Sequence, residues 1–105
     1  MPHVILSESQ IADALAALPD WSYRAPNIEA EYKFANFRDA IAFIVQVAIQ
    51  AEVMNHHPDI RNSWNKVSFS LCSHDAGNKI TSADVDLAKH ISKAAARFLS
   101  LKAPA

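Results

Sequence analysis

Three histidines and a glutamate are the residues best suited to chemistry in this sequence. His56 and His57 are adjacent, Glu52 precedes them, Pro58 follows them, and His74 ends the next apolar run. Histidine has the side-chain pKa nearest neutral pH, so grouped imidazoles can donate and accept protons under physiological conditions. Glu52 and His56 are four residues apart, so they would be neighbours on one helix face if the helix extends that far, and the carboxylate would fix the imidazole tautomer.

The residues alone leave several interpretations of this cluster open. One is acid–base catalysis by two or three of the histidines. Another is a metal site, although the spacing matches neither His-Glu-x-x-His nor paired Cys-x-x-Cys ligands. A third is an exposed His-His-Pro that simply terminates a helix. A fourth is a cysteine nucleophile, but Cys72 lies within a predicted strand, where a packed thiol is expected. The candidate metal ligands are His56, His57, His74, Asp59 and Cys72.

Length and composition predict one small globular domain spanning residues 1–105. The chain has 105 residues, of which 50% are hydrophobic and 20% are charged, so it should fold and not remain disordered. The core of such a chain is small, and small domains often bury additional surface by forming oligomers.

Charge and cysteine content argue against several classes of protein. The net charge is −1, with Lys and Arg scattered along the chain, so the basic surface of a nucleic-acid-binding protein is not expected. No apolar run is long enough to span a membrane, and residues 1–4 do not resemble the start of a signal peptide. Cys72 is the only cysteine, so no internal disulfide can form and a reducing, cytoplasmic location is expected.

Hydrophobic spacing predicts helices and strands in the order α-β-β-α-β-β-α. The first helix should begin at Ser7, which with Gln10 has the spacing of a capping box. Apolar residues alternate with charged ones over 28–34, which is typical of a half-buried strand, and residues 21–23 should pair with it as a hairpin. Further strands are predicted at 60–64 and 66–73, and the last helix should begin at Thr81 or Ser82. We therefore predict an α+β two-layer sandwich, in which a four-stranded antiparallel sheet is covered on one face by helices.

The central helix, predicted over residues 36–55 with Asn36 as its cap and Pro58 as its stop, carries two apolar stripes. A surface helix should be polar on its outer side, so a second stripe predicts a subunit interface, unless the helix is buried on both sides within one subunit. The stripe expected to face the core consists of Phe37, Ala40, Ile41, Ile44, Val47, Ala48 and Ala51. The stripe on the back consists of Ala42, Val45, Ile49 and Val53.

Several short blocks of sequence together resemble the pterin-4a-carbinolamine dehydratase family. The resemblance covers nearly the whole chain in length and in element order. The blocks are Asn55-His56-His57-Pro58-Asp59, Trp64-Asn65-Lys66-Val67, Leu71-Cys72-Ser73-His74-Asp75-Ala76-Gly77, Thr81-Ser82-Ala83-Asp84 and Asp86-Leu87-Ala88.

The resemblance implies a hydro-lyase that removes water from 4a-hydroxytetrahydropterins such as 4a-hydroxytetrahydrobiopterin and yields quinonoid dihydropterins, in tetrahydropterin recycling. It implies no metal and no cofactor, because the pterin is the substrate. It implies catalytic roles for His56, His57 and His74, supported by Glu52 and Asp84. The implied pterin contacts are His56, His57, Pro58, Ser73, His74, Asp75 and Ala76. The family also forms dimers or tetramers, which implies a homodimer or homotetramer through the central helix 36–55.

This sequence departs from the family pattern at a few positions. Trp64 stands where tyrosine is common, Ile60-Arg61 replaces an aromatic pair, and the turn at Asn78-Lys79 is one residue longer than in some members. Some relatives are assembly factors or stabilise a transcription-factor dimer, so a non-catalytic binding module on the same scaffold is the alternative function. Because an assembly factor would be expected to lose the histidines, their retention favours an enzyme.

Overall fold

Helices and strands follow each other in the predicted order in the computed structural model, which describes residues 4–100. Residues 1–3, on which the prediction about a signal peptide partly rests, lie outside the described residues. The elements are α1 (Glu8–Ala16), β1 (Trp21–Arg24), β2 (Asn27–Lys33), α2 (Phe37–Met54), β3 (Asp59–Ser63), β4 (Lys66–Leu71), a short 3₁₀ helix (His74–Ala76) and α3 (Ser82–Ser100).

Both predicted helix caps at the amino-terminal ends of α1 and α2 are confirmed. The Ser7 hydroxyl accepts a hydrogen bond from the backbone N–H of Gln10, and the Gln10 side chain accepts one from the Ser7 N–H. Asn36 accepts from the backbone N–H of Asp39. Each cap satisfies backbone donors that the first turn of a helix leaves unpaired, so these local sequence signals fix where the helices begin.

Within residues 4–100 the strands form one antiparallel sheet in the order β1-β2-β4-β3. β1 and β2 form the predicted hairpin, β3 and β4 form a second hairpin, and β2 pairs with β4 between them. This last pairing joins Ile28 to Leu71, so the amino-terminal end of β2 lies beside the carboxyl-terminal end of β4. The α+β sandwich predicted from the sequence is confirmed.

The helices cover one face of this sheet and leave the other polar. On β4, Val67, Phe69 and Leu71 are buried while Ser68 and Ser70 are only half-buried, as the period-two pattern predicted. The buried faces of α2 and α3 complete the core. The rings of Tyr32, Phe34, Phe43, Phe69 and Phe98 contact one another there, with centroid separations of 4.7–6.4 Å.

The core face of α2 differs from the predicted one. The buried residues are Ala40, Phe43, Val47 and Ala51, whereas Phe37, Ile41 and Ala48 from the predicted core stripe are exposed. The helix is rotated because Phe43, which the prediction omitted, packs its ring against Phe34 and Phe69 at the centre of the core. Burial of this large ring outweighs burial of Ile41 and Ala48.

The predicted back stripe of α2, which is Ala42, Val45, Ile49 and Val53, does lie on the surface, and Ile41, predicted for the core stripe, lies there too. Ile41, Val45, Ile49 and Val53 repeat every four residues and are between 37% and 75% exposed. We call this set the α2 stripe. Among residues 4–100, no helix is both long and apolar enough to cross a membrane.

Candidate active site

His56 and His57 follow the carboxyl-terminal end of α2 and lie outside regular secondary structure. Asn55 adopts a left-handed conformation with φ of 52°, its N–H donates to the carbonyl of Glu52, and the His56 N–H donates to the carbonyl of Ala51. These bonds form a Schellman motif, which ends a helix without a proline. The predicted end of α2 at about residue 55 is confirmed, but the stop signal is Asn55, which tolerates the left-handed conformation, and not Pro58.

His56 points inward and binds a buried carboxylate on the last helix. Its Nε2–H donates to Oδ1 of Asp84 over 2.6 Å. The His56 side chain is 10% exposed and that of Asp84 is fully buried. Because a carboxylate accepts this bond, Nε2 carries a proton, and the position and tautomer of the imidazole are fixed by α3.

Asp84 is itself held by donors from two further segments. Its Oδ2 accepts from the backbone N–H of Thr81 over 2.8 Å and from the Ser73 hydroxyl over 2.9 Å. The Ser73 and Thr81 hydroxyls are 2.7 Å apart, and the Thr81 hydroxyl accepts from the N–H of Ala83. By accepting from the Thr81 N–H, Asp84 caps the start of α3, and the same carboxylate joins this end of α3 and Ser73, just after β4, to His56.

Glu52 binds His57 and not His56. Its Oε1 accepts from His57 Nε2–H over 2.9 Å, and both side chains are largely exposed. The expected pairing of Glu52 with His56 is wrong because α2 ends at Met54, so His56 leaves the helical face that a four-residue spacing assumes. An exposed pair of this kind contributes little stability but orients the His57 ring.

His74 begins the 3₁₀ helix, just after β4. The predicted strand 66–73 ends two residues early, at Leu71, because the chain turns at Ser73 into this helix. The ring of His74 is exposed, and its Nδ1–H donates to Oδ1 of Asn78 over 2.8 Å. Of the other predicted pterin contacts, Asp75 and Ala76 lie in the same 3₁₀ helix, and Pro58 is half-buried before β3.

His57 and His74 both line a cavity of about 230 Å³. Asp59 and Ser70 line both this cavity and an open groove of about 700 Å³ on the uncovered face of the sheet, so the cavity and the groove adjoin. Together their size suits a small ligand. The cavity is lined by Pro26, Asn27, His57, Asp59, Ser70, Cys72, His74 and Asn78.

The cavity contains only part of the predicted site. Among the described residues, His56 and Ser73 do not line it and instead form the buried support around Asp84. Asn27 and Ser70 were not predicted, although Asn27 Nδ2–H donates to Ser70 Oγ over 2.7 Å in the cavity wall. The sequence marks Asn78 only as part of a longer turn. The contact between Asn27 and Ser70 depends on the β2–β4 register, which no local sequence signal reveals.

Neither a metal site nor a thiolate nucleophile is favoured by this geometry. Among residues 4–100, no group of three or more His, Cys, Asp or Glu side chains is arranged to hold a metal ion. The pKa of the Cys72 thiol is raised, first by burial and then by the negative charges of Asp84 and Asp59. A thiol with a raised pKa remains protonated near neutral pH, which suits a packed side chain.

The raised pKa predicts that Cys72 reacts slowly with alkylating reagents. At pH 8 a larger fraction of this thiol than of an exposed one is protonated, and only the thiolate reacts, so we expect alkylation by iodoacetamide to be at least about threefold slower than for a small free thiol. Rates measured from pH 7 to 10 on the folded protein check this, with the urea-unfolded protein as control. Equal rates for folded and unfolded protein at pH 8 would contradict it.

Comparison with known sequences gives a consistent result. A family model described as pterin 4 alpha carbinolamine dehydratase matches residues 4–94. A protein from Opitutus terrae, provisionally named a pterin-4-alpha-carbinolamine dehydratase, is 39% identical over 89 residues, which are 85% of this chain and 92% of that protein. A protein from Chloroflexus aurantiacus with the same provisional name is 46% identical over 86 residues, which are 82% of this chain and 91% of that protein.

Solved structures show the same fold. The crystal structure of a transcriptional coactivator/pterin dehydratase from Brucella melitensis superposes with a TM-score of 0.82 at 33% identity, covering 87% of this chain and 98% of that one. A pterin dehydratase-like protein identified as a RuBisCO assembly factor in the alpha-carboxysome superposes with a TM-score of 0.59 at 20% identity, covering 71% and 86%. From the match to residues 4–94 and the identity to these relatives, this chain belongs to the pterin 4 alpha carbinolamine dehydratase family.

Proposed function

We propose that this chain is a hydro-lyase that dehydrates 4a-hydroxytetrahydropterins, such as 4a-hydroxytetrahydrobiopterin, to quinonoid dihydropterins during tetrahydropterin recycling. The observation that carries the proposal is the cavity shared by His57 and His74, beside a third histidine held by buried Asp84. Family membership makes a pterin the substrate to test first. The reaction needs no metal or cofactor, and a reducing cytoplasmic location agrees with the free thiol of Cys72.

Dehydration of such a carbinolamine requires two proton transfers. A general acid protonates the 4a-hydroxyl, the carbon–oxygen bond breaks with its electron pair going to oxygen, and water leaves. A general base removes the proton of the neighbouring ring nitrogen, whose electron pair forms the new carbon–nitrogen double bond. Imidazoles perform both steps near neutral pH, and each positioned group contributes about 10² to 10⁴ in rate.

We propose the following division of these tasks among the three histidines. His57 and His74 line the cavity, so a pterin bound there would contact both directly, with Asp59 and Asn27 offering polar contacts in the wall. Glu52 orients His57, and Asp84 orients His56. We assign one proton transfer to His74 and the other to His56, which does not line the cavity and would exchange its proton with the pterin through a bridging water or through His57. To His57 we assign the orientation of the pterin or a share in proton transfer.

Stopped-flow measurement of the dehydration of freshly generated 4a-hydroxytetrahydropterin tests this function. The protein should accelerate the reaction well above the buffer rate, and titration with a stable dihydropterin should show saturable binding that His57→Ala abolishes. A rate equal to that of buffer, together with no saturable binding, would exclude the proposal.

The alternative is a non-catalytic binding module on the same scaffold. It is supported by the names of the two structural neighbours, one a transcriptional coactivator/pterin dehydratase and the other a pterin dehydratase-like RuBisCO assembly factor. The retained histidines and the cavity between two of them favour the enzyme. Pterin binding in the titration above separates the two functions, because an assembly module has no need of it.

We also propose that the chain forms a homodimer or homotetramer through the α2 stripe. Its residues occupy one side of the helix at a four-residue spacing that forms a packing ridge. Two copies of such a ridge can interdigitate about a two-fold axis, which makes the surface self-complementary. A row of four exposed apolar side chains on one helix of a small domain is typical of an interface.

Ile49→Glu is expected to shift this assembly toward monomer. It places a charge in the middle of the α2 stripe, where burial in an interface would cost about 1–3 kcal/mol or more. Sedimentation velocity at micromolar concentration measures the outcome, and Ala12→Glu on the exposed side of α1 serves as the control. An unchanged sedimentation coefficient for Ile49→Glu, or a monomeric parent protein, would contradict the interface.

A further inference from the structure

The turn after the 3₁₀ helix holds an asparagine directly beside His74. Asn78 has a φ of 61°, in the left-handed region that asparagine tolerates better than most residues. Its N–H donates to the carbonyl of Ser73, and the Ser73 N–H donates to the carbonyl of Lys79. Ser73 therefore holds the backbone of Asn78 and of the following Lys79. The side chain of Asn78 extends back toward His74.

The contact between these side chains determines which ring nitrogen of His74 carries the proton. The Asn78 carboxamide oxygen lies 2.8 Å from His74 Nδ1. A carboxamide oxygen only accepts hydrogen bonds, so Nδ1 must be protonated, and in the neutral ring Nε2 then has the lone pair. Both residues line the cavity, so this choice decides which nitrogen serves a molecule bound there.

His56 is held in the opposite way. Its Nε2–H donates to Asp84, so its proton is on Nε2, whereas that of His74 is on Nδ1. The two rings are thus fixed as different tautomers by partners on different elements. Two histidines that must perform opposite proton transfers benefit from such a distinction, because each then offers a defined nitrogen.

We propose that Asn78 is a positioning residue that fixes His74 as the Nδ1–H tautomer, so that Nε2 of His74 exchanges the proton with the substrate. The part that concerns the reaction rests on the proposed dehydratase function, whereas the tautomer assignment does not. Asn78 acts through His74 and needs no contact with the pterin.

Two substitutions separate the side chain of Asn78 from its backbone. Asn78→Gly removes the acceptor and suits the positive φ, and a Cβ-free residue introduces no steric conflict. Asn78→Asp retains an acceptor oxygen at nearly the same place. Long-range ¹H–¹⁵N NMR correlations of the imidazoles, recorded on the full chain without substrate above the histidine titration range, report the tautomer of each ring.

We expect the Nδ1–H tautomer of His74 in the parent protein and in Asn78→Asp, and a shift toward the Nε2–H tautomer of free histidine in Asn78→Gly. Turnover should fall by about fivefold in Asn78→Gly, with KM nearly unchanged, because only part of the population then has the competent tautomer. Asn78→Asp should retain turnover.

An Nε2–H tautomer in the parent protein, or an unchanged tautomer in Asn78→Gly, would overturn the assignment. A changed tautomer with unchanged turnover would exclude a role for Asn78 in the reaction. If even the parent protein fails to dehydrate pterins, the proposed function is wrong, but the NMR result still decides whether Asn78 fixes the tautomer.

Discussion

His74→Ala is expected to lower the turnover of pterin dehydration by at least about tenfold, and by up to about 10⁴, while the protein remains folded. His74 is exposed, lies in a short surface helix and lines the cavity, so the substitution removes an imidazole without disturbing the core. Circular dichroism should therefore be unchanged, and the loss should appear in the stopped-flow rate.

His56→Ala is expected to lower turnover by a similar factor, at least about tenfold, for a different structural reason. This ring is nearly buried and donates to Asp84, so its removal also leaves that carboxylate one donor short, which costs about 1–3 kcal/mol of stability. Chemical denaturation separates this cost from catalysis, since a folded but slow variant shows that the imidazole acts in the reaction.

The matched control for both substitutions is His90→Ala. His90 is an exposed histidine on α3 and lines a groove between α2 and α3 instead of the cavity. It should keep parental turnover. Parental turnover in both His74→Ala and His56→Ala would show that these histidines are not the acid and the base.

Features that a few residues close together in the chain determine were predictable from the sequence. The caps at Ser7 and Asn36 and the alternation along β4 depend on spacings of two to four residues, and the structure reproduces them. The element order and the α+β sandwich follow, since hairpins require antiparallel pairing and an apolar sheet face requires a cover.

Features that depend on distant residues were not predictable. The rotation of α2 depends on the aromatic residues that surround Phe43, which come from β2, β4 and α3. The path of the chain after Asn55 placed Glu52 against His57, where helical spacing alone suggested His56. Resemblance to the family implies that Asp84 is a supporting residue. Its contact with His56 depends on how α3 packs against the end of α2, which the sequence does not reveal.

Asp84→Asn is expected to lower turnover by at least about tenfold, as His56→Ala does, while changing the side-chain volume very little. Donors from Thr81 and Ser73 approach one oxygen of Asp84, so the carboxamide must direct its oxygen toward them and its NH₂ group toward His56. His56 Nε2 must then accept a hydrogen bond, which moves the imidazole proton to Nδ1. The substitution therefore reverses the tautomer of His56 with the fold retained.

The same NMR correlations that report on His74 would show this reversal, and stopped-flow kinetics would show the lost turnover. Stability should fall by about 1–3 kcal/mol, because hydrogen bonds to a charged acceptor are replaced by neutral ones. Asp86→Asn is the control, since Asp86 lies two residues further along α3 and is exposed. If Asp84→Asn reversed the tautomer and yet kept full turnover, proton transfer would not pass through His56, and Asp84 would serve only to join α3 to the end of β4.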